Sequence, residues 1–473
     1  MCLLRSLTGN AIQRLGQLSL RKSQTQIWPP TENSEGMLST GGLYAPTIRY
    51  HNGTVYIVCT NVIRVEMSSE SPIADNTENF IISTHDIWSN KWSDPIYFDF
   101  NGIDPSIFVD DDEKVYIHGS RSPGPSTEID MFQIDLSTGK KLSEQKKVWG
   151  GTGGIYPEGP HLYKYNGFYH LMISEGGTHS GHMITCARSK VIWGPYIGFE
   201  GNPILTAWNT DEEVQFTGHA DFFEGKDGRW WAVCLGVRLD EGRIVMGRET
   251  FLTAGSWSGC GWPRIDTVKM SPAAGIELSW EKKHSSLISA PGVDYLYIRD
   301  PTLSNFEFSP DGHRITLTAT ENDFDQWKNP ITFVRKRQRN LIGQATVVMT
   351  ISHKANNINL QSGMAYYKDE YRYMKLYYDH AASEIVLQVV NRAKAFCRVT
   401  KRGVKQSGSY SFRIQYTPRS YVFSYNMGQN WLSLEPLDTL ILSGLDFVGP
   451  VIGVFAIGDA DNSKVVCNDL EIL

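Results

Sequence analysis

Apolar and polar positions along roughly the first 285 residues alternate in short blocks that are typical of β-hairpins rather than helices. Each block opens with a short motif, passes through a polar turn and ends in an apolar, aromatic-rich strand. The four turns are His51-Asn52-Gly53, Asp110-Asp111-Asp112, Tyr165-Asn166-Gly167 and Lys226-Asp227-Gly228. Strands of four to eight residues bounded by Asn-Gly, Asp-Gly or Gly-Pro predict an all-β chain.

The opening motifs of these blocks form an internal repeat. Their anchor residues, Ala45, Asp104, Glu158 and His219, lie about 59, 54 and 61 positions apart. A period of this size, built from hairpins, is typical of the blades of a β-propeller. Because the innermost strand of each blade starts beside the central axis, the anchors are expected to converge on one pocket.

The pattern changes after residue 285. The anchors disappear and longer alternating strands follow, for example at 346–351, 374–378, 385–390 and 411–416. Alternation with one polar face predicts an antiparallel β-sandwich. We therefore expect a propeller domain over residues 1–285 and a sandwich domain over residues 286–473, with the boundary between 285 and 300.

Composition limits the partners of the chain. At 473 residues it is too long for one core. With 45 basic and 51 acidic residues it has a net charge of -6, which gives no footprint for nucleic acid or an anionic membrane. The seven cysteines lack CxxC pairs, which predicts reduced thiols. With no signal-peptide core and no long apolar run, the sequence as written is expected to be cytoplasmic; its oligomeric state is left open.

The anchors also predict chemistry. Asp104, Glu158 and His219, with Arg238 closing the fourth repeat, would place two carboxylates, an imidazole and a guanidinium around one cavity, a set suited to hydrolysis. A structural interpretation stands beside this one, since Asp before Pro-Ser commonly forms turns and Glu before Gly-Pro fits a solvated loop. Four motifs in register favour the functional interpretation.

Six segments, in order along the chain, resemble glycoside hydrolase family 43, and most of all its two-domain β-xylosidases and xylosidase/arabinofuranosidases. They are residues 42–50, 102–106, 157–161, 174–178, 217–221 and 247–250. The tail resembles the concanavalin A-like jelly-roll domain of those enzymes. The resemblance implies a five-bladed propeller that hydrolyses terminal xylose or arabinose of small oligosaccharides with inversion, and a sandwich that serves as a brace.

The resemblance also implies catalytic roles. Glu158 would be the general acid that protonates the leaving glycosidic oxygen, and Asp104 would orient that acid and hold its pKa in range. Physical chemistry supports the pairing, because a neighbouring carboxylate raises the pKa of an acid that must be protonated near neutral pH.

Further roles concern binding. By resemblance, His219 would lie at the hub and hold water or a calcium-like ion. Arg238 would hydrogen-bond the terminal sugar, Tyr44 would stack on it, and Thr178 is placed with the substrate-binding residues. No cofactor is expected to be required, and a structural calcium near His219 is the one metal considered.

The chain departs from the family pattern at the general base, an Asp expected in a Pro-Asp-Pro-Ser-type motif of the first blade. Four blade motifs occur where five are expected, and no aspartate precedes Asp75. The first 43 residues resemble the end of a first blade, so the expectation is an amino-terminally truncated enzyme. Two alternatives stay open: a carbohydrate-binding or scaffold protein with little catalysis, and a chain in which Asp104 or Asp221 replaces the base.

One further motif, Thr178-His179-Ser180-Gly181-His182, holds two histidines at a loop spacing that could suit a metal. The favoured interpretation is that His179 and His182 are surface histidines or donors at the rim of the pocket.

Overall fold

A computed structural model of the chain describes residues 42–473 apart from 65–74, 88–90, 123–125, 258–260, 272–294, 300, 327–328, 352–358, 406–407, 446, 448 and 460–462. Strands form nearly all of its elements, and short 3₁₀ turns occur at Leu303–Asn305, Arg392–Lys394 and Thr439–Ile441. None of the helices in these described ranges has the length and apolar character needed to cross a membrane.

Four antiparallel sheets in the described residues form blades of a propeller. The first contains β1 (Gly42–His51), β2 (Thr54–Arg64), β3 (Asp75–Thr84) and β4 (Ile96–Phe98). The second contains β5 (Gly102–Val109), β6 (Val115–Arg121), β7 (Glu128–Gln133) and β8 (Lys146–Trp149). The third contains β9 (Glu158–Tyr165), β10 (Phe168–Glu175), β11 (Met183–Ser189), β12 (Ile197–Gly198) and β13 (Leu205–Thr206). The fourth contains β14 (Val214–Glu224), β15 (Trp230–Arg238), β16 (Glu249–Trp257) and β17 (Pro263–Ile265).

The first strand of each blade lies at the hub, where β1 packs beside β5, β5 beside β9, and β9 beside β14. One arginine joins all four strands. The guanidinium of Arg49 in β1 donates to the carboxylate of Asp221 in β14 at 2.5 and 3.1 Å, to Ser106 Oγ in β5 at 3.3 Å and to His161 Nδ1 in β9 at 2.9 Å. We call these four residues the hub cluster.

The second half of the chain is a two-sheet sandwich. In chain order its strands are β18 (Phe306–Phe308), β19 (Arg314–Thr318), β20 (Phe333–Arg337), β21 (Gly343–Ile351), β22 (Leu360–Asp369), β23 (Arg372–Asp379), β24 (Glu384–Asn391), β25 (Phe396–Gly403), β26 (Ser409–Tyr416), β27 (Ser420–Asn426), β28 (Leu432–Ser433), β29 (Leu437–Asp438), β30 (Val451–Gly458) and β31 (Lys464–Ile472). One sheet contains β20, β22–β25 and β30, and the other contains the remaining strands.

The strands β22, β23 and β24 of the six-stranded sheet are buried on both faces. One face, with Tyr366 and Met374, packs in the core between the sheets. The opposite face, with Tyr367 and Tyr373, packs under Phe324 and its neighbours. The expectation of one polar face is therefore wrong for β23 and β24: even Lys375 is only 1% exposed, and its ammonium lies 2.6 and 2.8 Å from the carboxylate of Asp323.

Polar contacts join the propeller to the sandwich. Arg243, after β15, donates to the Asp438 carboxylate at 3.0 and 3.1 Å, and Arg419 contacts Asp240 at 3.2 Å and also Glu241. The predicted all-β class, a propeller followed by a sandwich, is confirmed. Residues 1–41, which make up most of the segment expected to be the end of a first blade, lie outside the described residues, as does the predicted domain boundary at 285.

Candidate active site

Each inner strand of the four described blades carries the same β-bulge, and the predicted site residues Tyr44, Asp104, Glu158 and His219 lie at or beside it. In β5, Asp104 and Pro105 together oppose Gly119, because Ile103 pairs with Ser120 while Ser106 pairs with His118. The strands β1, β9 and β14 shift register in the same way. An extra residue in one strand bends it and redirects a side chain, and such bulges are common next to active sites.

The first residue of each bulge has left-handed backbone geometry. The φ angles are 31° at Ala45, 55° at Asp104, 55° at Gly159 and 48° at His219. The repeat that the sequence predicts is therefore present, but its third member is displaced by one residue. Gly159, rather than Glu158, is the structural equivalent of Asp104. Left-handed non-glycine residues are strained and are concentrated at functional sites.

Asp104 and Glu158, which we call the acid pair, are brought together at this bulge level. Asp104 is 5% exposed, and its Oδ2 accepts a hydrogen bond from the backbone N–H of Gly159 at 3.1 Å. The Glu158 side chain is 20% exposed. Burial, together with the charge of Asp104, raises the pKa of Glu158 to about 8, against the opposing effect of Arg248.

The pKa of Asp104 is raised as well. Burial is the largest cause, and His219, the N–H of Gly159 and Arg248 act against it. A backbone N–H that donates to a carboxylate favours the charged form. Two neighbouring carboxylates cannot both ionise readily, so we assign the proton to Glu158, whose pKa Asp104 raises, and the charge to Asp104, which accepts the Gly159 N–H.

The arginine beside the acid pair is Arg248, which the sequence-based assignment of roles missed. Its guanidinium donates to Thr178 Oγ1, and burial lowers its pKa to about 10 although Glu158, Asp104 and Tyr44 raise it. Arg248 lies in the 247–250 motif, so the signal was present in the sequence. Its position one residue before β16 made its direction impossible to predict from the pattern.

Arg238, the arginine chosen from the sequence, is engaged elsewhere. Its Nε and Nη2 donate to the two carboxylate oxygens of Glu249, each at 2.8 Å. The charges that act on Glu158 belong to Asp104 and Arg248. A role for Arg238 in sugar binding stays a prediction, as does stacking by Tyr44, which is half-buried and close enough to Arg248 to affect its charge.

His219 lies against the third blade. Its backbone N–H donates to Ser174 Oγ at 2.7 Å, and a Cβ added at Gly159 would lie 2.8 Å from its Nε2. The imidazole therefore packs directly on the Gly159 backbone. Burial lowers the pKa of His219, while Asp104 raises it, so the ring is a neighbour of the acid pair.

The structural calcium considered near His219 stays a prediction. Calcium takes six to eight oxygen ligands, and within the described part of the chain no group of three or more His, Cys, Asp or Glu is arranged to hold a metal ion. The oxygens of Asp104 and Asp221 nearby already accept hydrogen bonds from Gly159 and Arg49. We derive no step through a metal.

His182 is 1% exposed, so it is not a surface histidine, whereas His179 is half-buried. The other alternative, a donor at the rim of the pocket, stays a prediction. The Nε2 atom of His182 lies 4.0 Å from Glu158 Oε1. Its loop folds tightly because Gly176, with a φ of 87°, lies against the carbonyl of Gly181, where a Cβ would be 1.8 Å from the oxygen.

The sandwich contributes one aromatic ring to this region. The Cζ atom of Arg248 lies 4.4 Å from the centroid of the Phe447 ring, a cation–π distance. The ring of His179 also stacks on Phe447, with the ring centroids 6.4 Å apart and an interplanar angle of 20°. The site is thus bordered by both domains.

Two family models match the chain. The model described as glycosyl hydrolases family 43 matches residues 15–263, and that of the beta xylosidase C-terminal concanavalin A-like domain matches residues 289–469. A non-reducing end alpha-L-arabinofuranosidase of Bacteroides ovatus is 30% identical over 441 residues, covering 89% of this chain and 79% of that protein. A xylan 1,3-beta-xylosidase of a Vibrio species is 28% identical over 461 residues, covering 91% and 82%.

Solved structures agree with these matches. A GH43 protein of Bacillus licheniformis superposes with a TM-score of 0.78 at 27% sequence identity. The superposition covers 91% of this chain and 85% of that one, so it includes both the blades and the sandwich.

Proposed function

Because the chain belongs to glycosyl hydrolase family 43 and is a glycosidase, we propose that it releases terminal xylose or arabinose from xylan-derived oligosaccharides with inversion. The names of its relatives, an arabinofuranosidase and a xylosidase, support this substrate class. The observation that carries the proposal is the acid pair: the half-buried Glu158, whose raised pKa favours the protonated form, beside the buried Asp104, which accepts the N–H of Gly159.

Glu158 acts as the general acid. Its raised pKa keeps the proton on the carboxyl group near neutral pH, where an ordinary glutamate would have lost it. The proton passes to the glycosidic oxygen as the bond from the anomeric carbon to that oxygen breaks, and water attacks the opposite face of the sugar.

Asp104 and Arg248 set the charge around that acid. Once Glu158 has given up its proton the site holds two carboxylates, a state that Arg248 stabilises because it stays cationic at neutral pH. The contact of Arg248 with Thr178 fixes the guanidinium in place. Arginine also suits hydrogen bonding to neighbouring hydroxyls of a sugar, which supports a binding role for Arg248.

Phe447 supports a terminal rather than an internal cleavage site. Its ring borders Arg248 from the sandwich side, so the propeller pocket is limited there by a second domain. A pocket closed on one side accommodates the end of a chain better than its middle.

An inverting hydrolase also requires a base, about 6.5–9.5 Å from the acid. Asp221 is poorly suited to this task, because Arg49 and Tyr163 donate to its carboxylate and hold its pKa well below the ordinary range, even though burial acts to raise it. We assign no base among the described residues. A second function, sugar binding with little hydrolysis, is kept because no base is assigned among the described residues.

Hydrolysis of 4-nitrophenyl β-xyloside, 4-nitrophenyl α-arabinofuranoside and xylobiose by the purified chain tests the proposal. We expect Glu158→Gln to reduce turnover of xylobiose by about 10²–10⁴-fold. Glu144→Gln, at an exposed position, is the matched control and should leave turnover unchanged. Wild-type turnover no greater than that of Glu158→Gln would refute the acid assignment, and xylobiose binding without turnover would support the second function.

A further inference from the structure

We propose that His182 is a positioning residue for the general acid, whose protonated carboxyl group donates a hydrogen bond to Nε2 of the imidazole. This inference rests on the proposed role of Glu158. His182 would not exchange protons with the sugar; it would hold the acidic proton of Glu158 in one orientation until the leaving oxygen arrives.

The first step is the tautomer of the ring. Nδ1 of His182 lies 3.0 Å from the backbone carbonyl oxygen of Phe216. A carbonyl oxygen can only accept, so Nδ1 must carry the hydrogen. In a neutral imidazole this leaves Nε2 as a bare acceptor.

The second step is the position of that acceptor. Nε2 is inaccessible to solvent, and no protein group in the described part of the chain lies within hydrogen-bonding distance of it. The carboxyl oxygen Oε1 of Glu158 lies 4.0 Å away. A buried acceptor without a partner costs free energy, and a protonated carboxyl group is the donor that this site offers.

The third step is the rigidity of the ring. A Cβ added at Gly218 would lie 2.4 Å from Cε1 and 2.5 Å from Nε2 of His182, so the imidazole packs directly on that backbone. The backbone of His182 is held as well, since its N–H donates to the carbonyl of His179 and its own carbonyl accepts from Thr206 Oγ1, each at 2.9 Å. Nε2 therefore keeps its direction.

The charge of the ring agrees with an acceptor role. Burial, with smaller effects of His219, Arg248 and His179, lowers the pKa of His182 to about 3, against the opposing effect of the Phe216 carbonyl. The charged groups facing Glu158 are Asp104 on β5 and Arg248 before β16. A neutral His182 does not act on Glu158 as a counter-ion; it acts through the hydrogen bond alone.

The remaining distance is short. Closing the gap from 4.0 Å to hydrogen-bonding range requires a shift of about 1 Å, which a rotation of the Glu158 carboxyl group can supply. Catalytic hydrogen bonds are often long in free enzymes and shorten in the complex with substrate.

A pair of substitutions isolates the acceptor. His182→Asn retains an amide donor near the position of Nδ1 for the Phe216 carbonyl but has no atom at Nε2. His182→Gln extends an amide to the position of Nε2. The readout is the pKa of Glu158, measured by ¹³C NMR of protein labelled at glutamate carboxyl carbons, with Glu158→Gln to assign the resonance.

A hydrogen bond donated by the neutral acid favours the protonated form, so its loss lowers the pKa. We expect His182→Asn to lower the pKa of Glu158 by about one unit and His182→Gln to restore part of that shift. An unchanged or raised pKa in His182→Asn would overturn the inference. Because this readout needs no turnover, it remains decisive even for a chain that hydrolyses no glycoside.

Two further measurements guard against a structural effect. In the wild type, ¹⁵N NMR should report His182 protonated at Nδ1 and bare at Nε2, and an imidazolium or the opposite tautomer would refute the inference even where the variants do not fold. In kinetics, His182→Asn should slow xylobiose, which needs the acid, at least tenfold more than dinitrophenyl xyloside, which does not. Equal slowing of both substrates would indicate a structural role only.

Discussion

Asp104 and Glu158 have carboxyl groups of ordinary chemistry, and their surroundings give them opposite charge states. Asp104 accepts the Gly159 N–H and lies beside His219, so it carries the charge. Glu158 is buried against that charge and keeps a proton up to a pH of about 8. The function of the acid therefore depends on the ionisation of its neighbour.

We expect Asp104→Asn to lower the pKa of Glu158, because it removes the negative charge that opposes ionisation. The basic limb of the pH profile of kcat/KM, which reports loss of the Glu158 proton, should shift from about pH 8 to lower pH by one unit or more. Asn tolerates the left-handed backbone of position 104, so thermal stability should change little. A basic limb that stays in place would contradict the pairing.

At this scale the sequence predicted the acid pair but not its partners. Asp104 and Glu158 belong to a repeat, and the repeat determines where they converge. Arg248 and His182 lie in loops just before β16 and β11, where no periodicity determines the direction of a side chain. Only tertiary packing brings them to Glu158.

Among the elements, the four bulged inner strands are the feature that positions the site. Each uses two residues against one on its neighbour, with left-handed geometry at Ala45, Asp104, Gly159 and His219. Three of these four residues precede a proline, and the fourth, His219, precedes an alanine at the same place. Aligning the prolines rather than the acidic residues would have identified Gly159 as the equivalent of Asp104.

Gly159→Ala and Gly53→Ala form a matched pair that tests the bulge. Both glycines have left-handed φ angles, 55° and 77°, but an added Cβ at Gly159 meets the His219 ring, whereas at Gly53 nothing lies within 4 Å. We expect Gly53→Ala to cost about 1 kcal/mol of unfolding free energy and Gly159→Ala about 2–4 kcal/mol.

Only Gly159→Ala should also lower kcat, by at least about tenfold, because it displaces the residue next to the general acid. Urea denaturation and steady-state kinetics measure the two effects. Equal losses for both variants would indicate that the contact with His219 is unimportant.

In the molecule as a whole, the hub cluster joins the four described blades through one guanidinium. Arg49 contacts Asp221, Ser106 and His161, each on the inner strand of a different blade. The side chains of Arg49 and Asp221 are each 23% exposed, whereas those of the surface pair Arg229 and Asp227 are 57% and 48% exposed.

We expect Arg49→Met to destabilise the fold by about 3–5 kcal/mol, since it leaves the Asp221 carboxylate without its counter-ion. The double variant with Asp221→Asn should be less destabilised than the sum of its single variants. Arg229→Met, which breaks an exposed pair, should change stability by less than about 1 kcal/mol. Chemical denaturation measures all four proteins, and equal effects of Arg49→Met and Arg229→Met would refute the role of the hub.

For the whole molecule, the sequence predicted the propeller and the sandwich but not the long-range side-chain pairs that hold each of them together. Hairpin turns at a regular spacing predict blades, whereas nothing in the β1 segment distinguishes Arg49 from a solvated arginine. Likewise Lys375 suggests in the sequence that β23 has a solvent-exposed polar face. Its burial could not be predicted, because its partner Asp323 is distant in sequence. Long-range pairs of this kind become visible only in three dimensions.

The pair of Arg49 and Asp221 spans 172 positions of the chain. Contacts so far apart form late in folding, since the entropy of closing the loop must be overcome before any contact stabilises it. A growing polypeptide on the ribosome would therefore have its acidic residues long before it has a working pocket. The pocket would be complete only when the fourth described blade has folded and Asp221 has paired with Arg49.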